Sequence, residues 1–251
     1  MRKTALFAAL FAAFLGASGE IAFGGGSRET ADALWNSRED LVKAGEAVLA
    51  YESLLKENPK DYDSLLRLSR LHYWIGQNLE PTSSKEAISH YNKGREYGMS
   101  AAAAAPDRPG GYFFEGANLA RVNNLKGTLS NLYGIRVVKK MNEKVAQIEP
   151  AYFHGGPDRF FCAYYTKLPG ILGGDLSKAI AHGRKAVGVQ PSYAGNHLFL
   201  AEAYRKDGKN DLARKELEAA LAAPDNALPD AIPEQRLEKR RAAALLKKIS
   251  R

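Results

Sequence analysis

Ala179, Gly183, Ala186 and Pro191 fall at steps of four, three and five residues, and Ala47, Tyr51, Leu54 and Pro59 repeat those steps. Ala213, Leu217 and Ala220 keep the first two steps with Pro224 one residue early, while Ala87, Tyr91 and Gly94 begin a fourth copy that lacks its proline. Steps of four and three keep residues on one face of a helix. Small side chains on that face let two helices approach to roughly 8–10 Å, the spacing of close pairs. The larger residue between them fills the space between neighbouring hairpins, and the proline ends the helix. The pattern restricts the chain to helical hairpins stacked in series.

Pro191 and Pro224 are 33 residues apart, close to the period of about 34 of the tetratricopeptide repeat. Pro150 and Pro191 are 41 apart, so an insertion lies between them. Nothing along the chain shows sustained apolar/polar alternation, so no strands are expected. Ser37 is placed to cap a helix running through Leu41, Ala44, Val48 and Tyr51 to Pro59, and Asp61 opens a second carrying Leu65, Leu68, Leu71 and Trp74. Further helices follow through Ala87 to Met99, from Asp107-Arg108-Pro109-Gly110-Gly111 onward, over 129–148, 176–189, 192–206 and 211–222, and at the C-terminus. The expected fold is all-α: an α-solenoid of tetratricopeptide-like helical hairpins with about ten helices and no sheet.

The insertion, over 150–175, holds two glycine pairs, Gly155-Gly156 and Gly173-Gly174, around an aromatic segment from Arg159 to Leu168. Each pair signals positive φ or close backbone approach. Pro157 and Asp158 start the segment as a helix, with the Asp158 carboxylate complementing the helix dipole. Leu168-Pro169-Gly170 ends it, and Asp175 caps the next helix. An anion-cradling loop at Gly155-Gly156 is the competing reading, but Asp158 would sit where the anion belongs.

The N-terminus starts with Arg2-Lys3, runs uncharged from Thr4 to Gly19, and reaches the small residues Ala17-Ser18-Gly19. That is the layout of a secretory signal peptide over 1–19, and the run falls short of the roughly 18 apolar residues of a spanning helix. A linker and short helix occupy 20–36, and 37–251 form one helical-repeat domain. The expectation is export, with a soluble mature chain. The single cysteine, Cys162, lies deep in the chain, so there is no lipoprotein cysteine after the apolar run and no intramolecular disulfide. Its neighbours Phe160, Phe161 and Ala163 suggest a buried, inert thiol.

The formal charge of +8 falls to +6 without Arg2 and Lys3, and the segment 234–251 alone carries seven basic residues against two acidic ones. Ile232, Leu237, Ala244, Leu245 and Ile249 give this segment an apolar strip, which suits a capping helix over 234–251 with one solvated face. Export argues against nucleic acid as the partner.

Among the histidines His72, His90, His154, His182 and His197 there is no metal-binding pair, and no metal or cofactor is expected. His90 and His182 occupy the same repeat position, three residues after Ala87 and Ala179, which favours a structural role. No nucleophile elbow, phosphate loop or dinucleotide fingerprint is present, so no catalytic residue is assigned. A hydrolase or lyase using His154 or His197 would need an acid and a nucleophile beside the ring. Glu115, Asn118, Asn123 and Asn124 set polar groups on an apolar helix. With Tyr112 and Phe113 they either line a mixed pocket or bridge adjacent repeats.

The strings GGPDR, KLPG and GGDLSKA, with the aromatic segment between them and a helix ending at Pro191, resemble the T-component family of tripartite ATP-independent periplasmic (TRAP) transporters. GYFFEGANLARVNNLKG is similar to that family's central helix. The resemblance implies a non-enzymatic periplasmic repeat protein that docks the transporter's solute-binding protein and helps present an organic ligand, hydrophobic or carboxylate. Members are often lipoproteins, and this chain departs from them in lacking the anchoring cysteine.

Tyr112, Phe113, Asn118, Phe160, Tyr164 and Tyr165 are the candidate cavity lining, with Arg159 and Lys167 placed to orient a carboxylate. Ordinary core packing is the competing account of each aromatic. A homo-oligomer is compatible with such a surface. The alternative function is a generic periplasmic tetratricopeptide scaffold that receives peptide segments in its groove during envelope or secretion complex assembly.

Overall fold

The structure, a computed structural model, describes residues 27–249. The expected signal peptide and residues 20–26 of the expected linker lie outside the described residues. Within them the chain forms eleven α-helices and no strand: α1 (Arg28–Asn36), α2 (Leu41–Glu57), α3 (Tyr62–Leu79), α4 (Ser84–Ala104), α5 (Gly110–Lys126), α6 (Thr128–Ile148), α7 (Tyr152–Lys167), α8 (Leu176–Val189), α9 (Ala194–Lys206), α10 (Asn210–Ala222) and α11 (Ile232–Ile249). Short 3-10 turns at Gly170–Leu172 and Pro229–Ala231 join α7 to α8 and α10 to α11. Among the described residues no helix is long and apolar enough to cross a membrane.

Consecutive helices pair as hairpins, α1 with α2 through α9 with α10, and the first helices stack on one another, α3 on α5 and α7 on α9. The second helices carry the repeated small positions. Ala47, Tyr51, Ala87, Tyr91, Ala179, Ala186, Ala213, Leu217 and Ala220 are all fully buried. His90 and His182 each reach back to the first helix of their own hairpin, His90 to His72 (3.0 Å between Nδ1 atoms) and His182 to Asp158 (2.6 Å). Equal register thus yields an equal contact.

Side chains cap the hairpins where the sequence supplies acids and serines. Asp61 accepts from Ser64 N at 3.1 Å, Ser83 from Glu86 N at 3.3 Å and Asp175 from Lys178 N at 3.0 Å, each cap stabilising by about 1 kcal/mol. The expected cap at Ser37 is corrected. Asp40, in extended conformation, accepts from Val42 N at 2.7 Å, whereas Ser37 closes α1, its N–H bonding back to Leu34 O. The carboxylate is the better acceptor for the orphan N–H groups.

Helix α11 does more than cap the last hairpin. Leu245, Leu246 and Ile249 pack on the C-terminal core around Leu200 and Leu217, while Leu237 packs on the N-terminal core around Trp35 and Trp74. Glu234 bonds Arg38 at 2.7 Å and approaches Arg70 at 3.4 Å, and Arg236 pairs with Glu39 at 2.5 Å. Gln235, wholly buried, accepts from Ala194 N at 2.9 Å and donates to Ser192 O at 2.7 Å. Ala244, expected on the apolar strip, is exposed, and Ala242 is buried instead. The helix therefore lies across the face made by the first helices and joins the two ends of the solenoid.

Candidate functional site

Helices α3, α5, α6, α7, α9 and α11 line a half-open cavity of about 400 Å³, within the size range of small-molecule sites. Tyr73 and Trp74 of α3, Phe113 and Phe114 of α5, Phe153, Phe160 and Tyr164 of α7, and Tyr193 and Phe199 set aromatic rings in its wall. Phe113 meets Phe114 edge to face at 5.1 Å between ring centres, and Phe153 meets Phe114 likewise at 5.3 Å, the geometry aromatic quadrupoles prefer.

The insertion shapes one side of this wall. Phe153, His154 and Gly155 take left-handed backbone angles (φ 47°, 61° and 80°), which kinks the chain before the helix resumes at Gly156-Pro157. The two non-glycine residues cost roughly 1–2 kcal/mol each. Hydrogen bonds offset that cost. Arg159 donates from Nη2 to Phe153 O and from Nη1 to His154 O, both at 3.2 Å. Asn196, fully buried on α9, donates to His154 O, Ala186 O and Gln190 O and accepts from Arg159 Nη1 at 2.8 Å.

The glycines are set by shape. Gly155 has positive φ, and a Cβ there would lie 3.2 Å from the Ala186 backbone; one on Gly156 would enter the Phe113 ring at 2.5 Å. At the far loop a Cβ on Gly174 would fall 2.0 Å from Leu168 O, and Gly173 has φ of 93°. Asp158 turns to His182, so its partner is an imidazole of the neighbouring helix. Pro169 leaves the helix in extended conformation, and the turn it begins projects Ile171, which is 95% exposed.

The structure brings Phe113, Arg159, Phe160, Tyr164 and Lys167 together in the cavity wall. Three other expected lining residues lie elsewhere. Asn118 is fully buried between helices, donating to Phe114 O at 2.8 Å and to Ser69 O at 3.3 Å, the repeat-bridging role. Tyr112 bonds Pro106 O at 3.3 Å on the surface. Tyr165 stacks on His182 and packs on the C-terminal core. Arg159 lines the cavity, yet its hydrogen bonds go to Phe153 O, His154 O and Asn196 Oδ1, and these hold the turn.

Polar groups that sequence reasoning missed complete the wall. Arg121 of α5 pairs with Glu80 at 3.5 Å, and Arg241 of α11 with Glu238 at 2.9 Å. With its amide oxygen facing both guanidinium groups, Gln77 accepts from Arg121 at 2.7 Å and from Arg241 at 3.1 and 3.2 Å. Arg70 lies over the rings of Phe153 (5.0 Å) and Phe114 (5.3 Å) and bonds Asp230 O. These residues are remote in sequence from the insertion; stacking of α3 and α5 brings Arg70, Gln77 and Arg121 to the cavity, and the return of α11 brings Glu238 and Arg241.

The thiol of Cys162 is buried, and burial pushes it up to about 12. For His197, burial opposes the charge, but hydrogen bonds to Glu216 (2.7 Å) and Pro191 O (2.8 Å) outweigh it and hold the imidazole above its ordinary range. His154 faces Asp230 at 3.4 Å. No group of three or more His, Cys, Asp or Glu among the described residues converges as a metal site.

The family model described as TRAP transporter T-component matches residues 110–251, more than half of the chain. The chain belongs to the TRAP transporter T-component family. The matched region runs from α5 to the C-terminus and contains the left-handed turn, both glycine pairs and α11. This T-component also shares its fold with a thermophilic tetratricopeptide protein of Thermus thermophilus, TTC0263, at a TM-score of 0.64 and 20% identity over 87% of this chain and 100% of that one. Two crystal structures of MamA align less closely, with TM-scores of 0.41 and 0.42 at 17% and 16% identity, covering 78% and 82% of this chain and 91% and 96% of theirs. None of the curated proteins matches the sequence. The expected α-solenoid of tetratricopeptide-like hairpins is the fold observed.

Proposed function

We propose that this T-component is a non-enzymatic periplasmic accessory protein that docks the solute-binding protein of a TRAP transporter and presents an apolar or amphiphilic organic ligand from its central cavity. The observation that carries the reading is the aromatic-bearing cavity itself, lined on one side by α11 and contained largely in the region the family model matches. A wall that sets aromatic rings beside charged and polar side chains suits a ligand with an apolar body and a polar end. The turn carrying Ile171 adjoins Leu168 and Pro169 in the cavity wall. An exposed apolar tip beside a cavity mouth is suited to docking a partner that receives what the cavity holds.

Receiving peptide segments in the groove, as a general envelope scaffold would, is less well supported, because α11 already lies on the inner face. Affinity isolation of the mature chain from an envelope extract separates the two readings. Recovery of a solute-binding protein is the expected result. Recovery of envelope assembly factors without it would overturn the proposal.

A further inference from the structure

Most charged side chains of the cavity wall are already engaged with protein groups. Arg70 and Arg38 hold Glu234, Arg121 faces Glu80, Arg159 holds the left-handed turn, and Arg241 holds Glu238. Among the described lining residues, the two charged side chains without a hydrogen bond or ion pair are Lys167 of α7 and Glu202 of α9. They feel each other's charge without closing as an ion pair. Both remain open to solvent, Lys167 exposed and Glu202 partly so, although protein surrounds them.

Burial raises the Glu202 pKa and lowers that of Lys167, each toward its neutral form, with only partial relief from the other. Two directly paired charges would be driven the opposite way. Glu202 also feels Glu238, anchored by Arg241, and against it the charges of Arg205 and Arg241, while Lys167 feels Arg121 and Arg241 against Glu80; burial outweighs them all. Phe160, Tyr164 and Phe199 lie on the same two helices and supply the adjoining apolar surface.

We propose that Lys167 and Glu202 are the head-group clamp for an apolar α-amino acid: the ligand's carboxylate bonds Lys167, its ammonium bonds Glu202, and its side chain lies along the aromatic wall. Each ligand charge then supplies the counter-ion that one wall residue lacks. A simple monocarboxylate would satisfy Lys167 and leave Glu202 uncompensated, and a simple amine would do the reverse. The assignment rests on the reading of the cavity as a ligand site.

Calorimetric titration of the mature full-length chain tests it, with L-phenylalanine, 3-phenylpropionate, phenethylamine and the uncharged probe N-phenyl-1-naphthylamine. L-Phenylalanine is expected to bind at least about tenfold tighter than the acid or the amine, the scale of one charge-assisted hydrogen bond. Glu202→Gln is expected to abolish the advantage over the acid, and Lys167→Gln the advantage over the amine. Both variants should still bind the uncharged probe, which checks that the cavity is intact. If the uncharged probe binds but the three phenyl compounds are indistinguishable, the clamp is overturned and the cavity reading stands. If no compound binds, both are overturned.

Discussion

Arg159 and Asn196, 37 residues apart on α7 and α9, meet at 2.8 Å and together bond the carbonyls of the left-handed turn at Phe153-His154. Their side chains fix the shape of one cavity wall. Asn196→Ala would leave the Arg159 guanidinium and the carbonyls of His154, Ala186 and Gln190 short of a partner inside the protein. We expect a loss of about 3 kcal/mol in urea denaturation, because a stranded buried polar group costs roughly 1–3 kcal/mol. Arg159→Lys, which lacks the planar fork, should destabilise in the same direction by a smaller amount.

The approach of α4 to α5 depends on glycine at the crossing. A Cβ on Gly111 would lie 2.3 Å from the Ala102 backbone nitrogen, which has no room to move. Gly111→Ala should therefore cost at least about 2 kcal/mol. Gly188, exposed on α8 with no atom within 4 Å of its Cβ position, is the contrast. Gly188→Ala should stabilise by up to about 1 kcal/mol. Thermal unfolding of the two variants reads opposite shifts.

Acid weakens the hairpin of α3 and α4 by a defined route. Burial first, then the neighbouring charges of His90 and Lys93, lower His72 from 6.5 to about 3, and burial lowers His90 as well. Two Nδ1 atoms at 3.0 Å share one hydrogen, so charging both rings would set two N–H groups head to head. The folded pKa lies below the unfolded one, so this stabilisation is full above pH 6.5 and is lost as pH falls toward 3. His72 alone contributes a slope of about 1.4 kcal/mol per pH unit in that window. Stability measured against pH in the wild type and in His72→Asn checks it, the variant giving the shallower curve.

Helix α11 is held to the N-terminal hairpin by Glu234, whose partners Arg38 and Arg70 are both buried. Glu234→Gln leaves two buried guanidinium groups without their carboxylate, at a cost of about 3 kcal/mol. Hydrogen exchange should show earlier opening of residues 232–249, with the outer helix α8 little changed.

The periodic part of this architecture was legible in the sequence because it depends on local rules. Small residues at steps of four and three, closed by proline in all but α4, located α2, α4, α8 and α10, and the bounds of α8 match the expected 176–189. The glycine pairs were rightly attributed to shape. What could not be read was set by long-range return. The partners of α11 lie about two hundred residues away, as with Arg38 and Glu234, and no periodicity encodes which face a terminal helix covers. For the same reason Asn118 was not separable from a pocket residue, and Asn196, Gln77 and Glu202 gave no local signal.

Ile171 offers a test of docking that leaves the fold alone. The side chain is 95% exposed and belongs to no core cluster, so Ile171→Asp should change stability by less than about 0.5 kcal/mol. Its affinity for the solute-binding protein should fall at least about tenfold, the loss expected when an apolar anchor is replaced by a charge.

The central claim is that this chain serves a TRAP transporter by direct contact with its solute-binding subunit. Calorimetric titration of the purified mature chain with that subunit, in the presence and absence of the transported solute, measures it most directly. The account predicts a saturable complex whose affinity depends on whether the solute is bound. No binding in either condition, with both proteins folded, would contradict it.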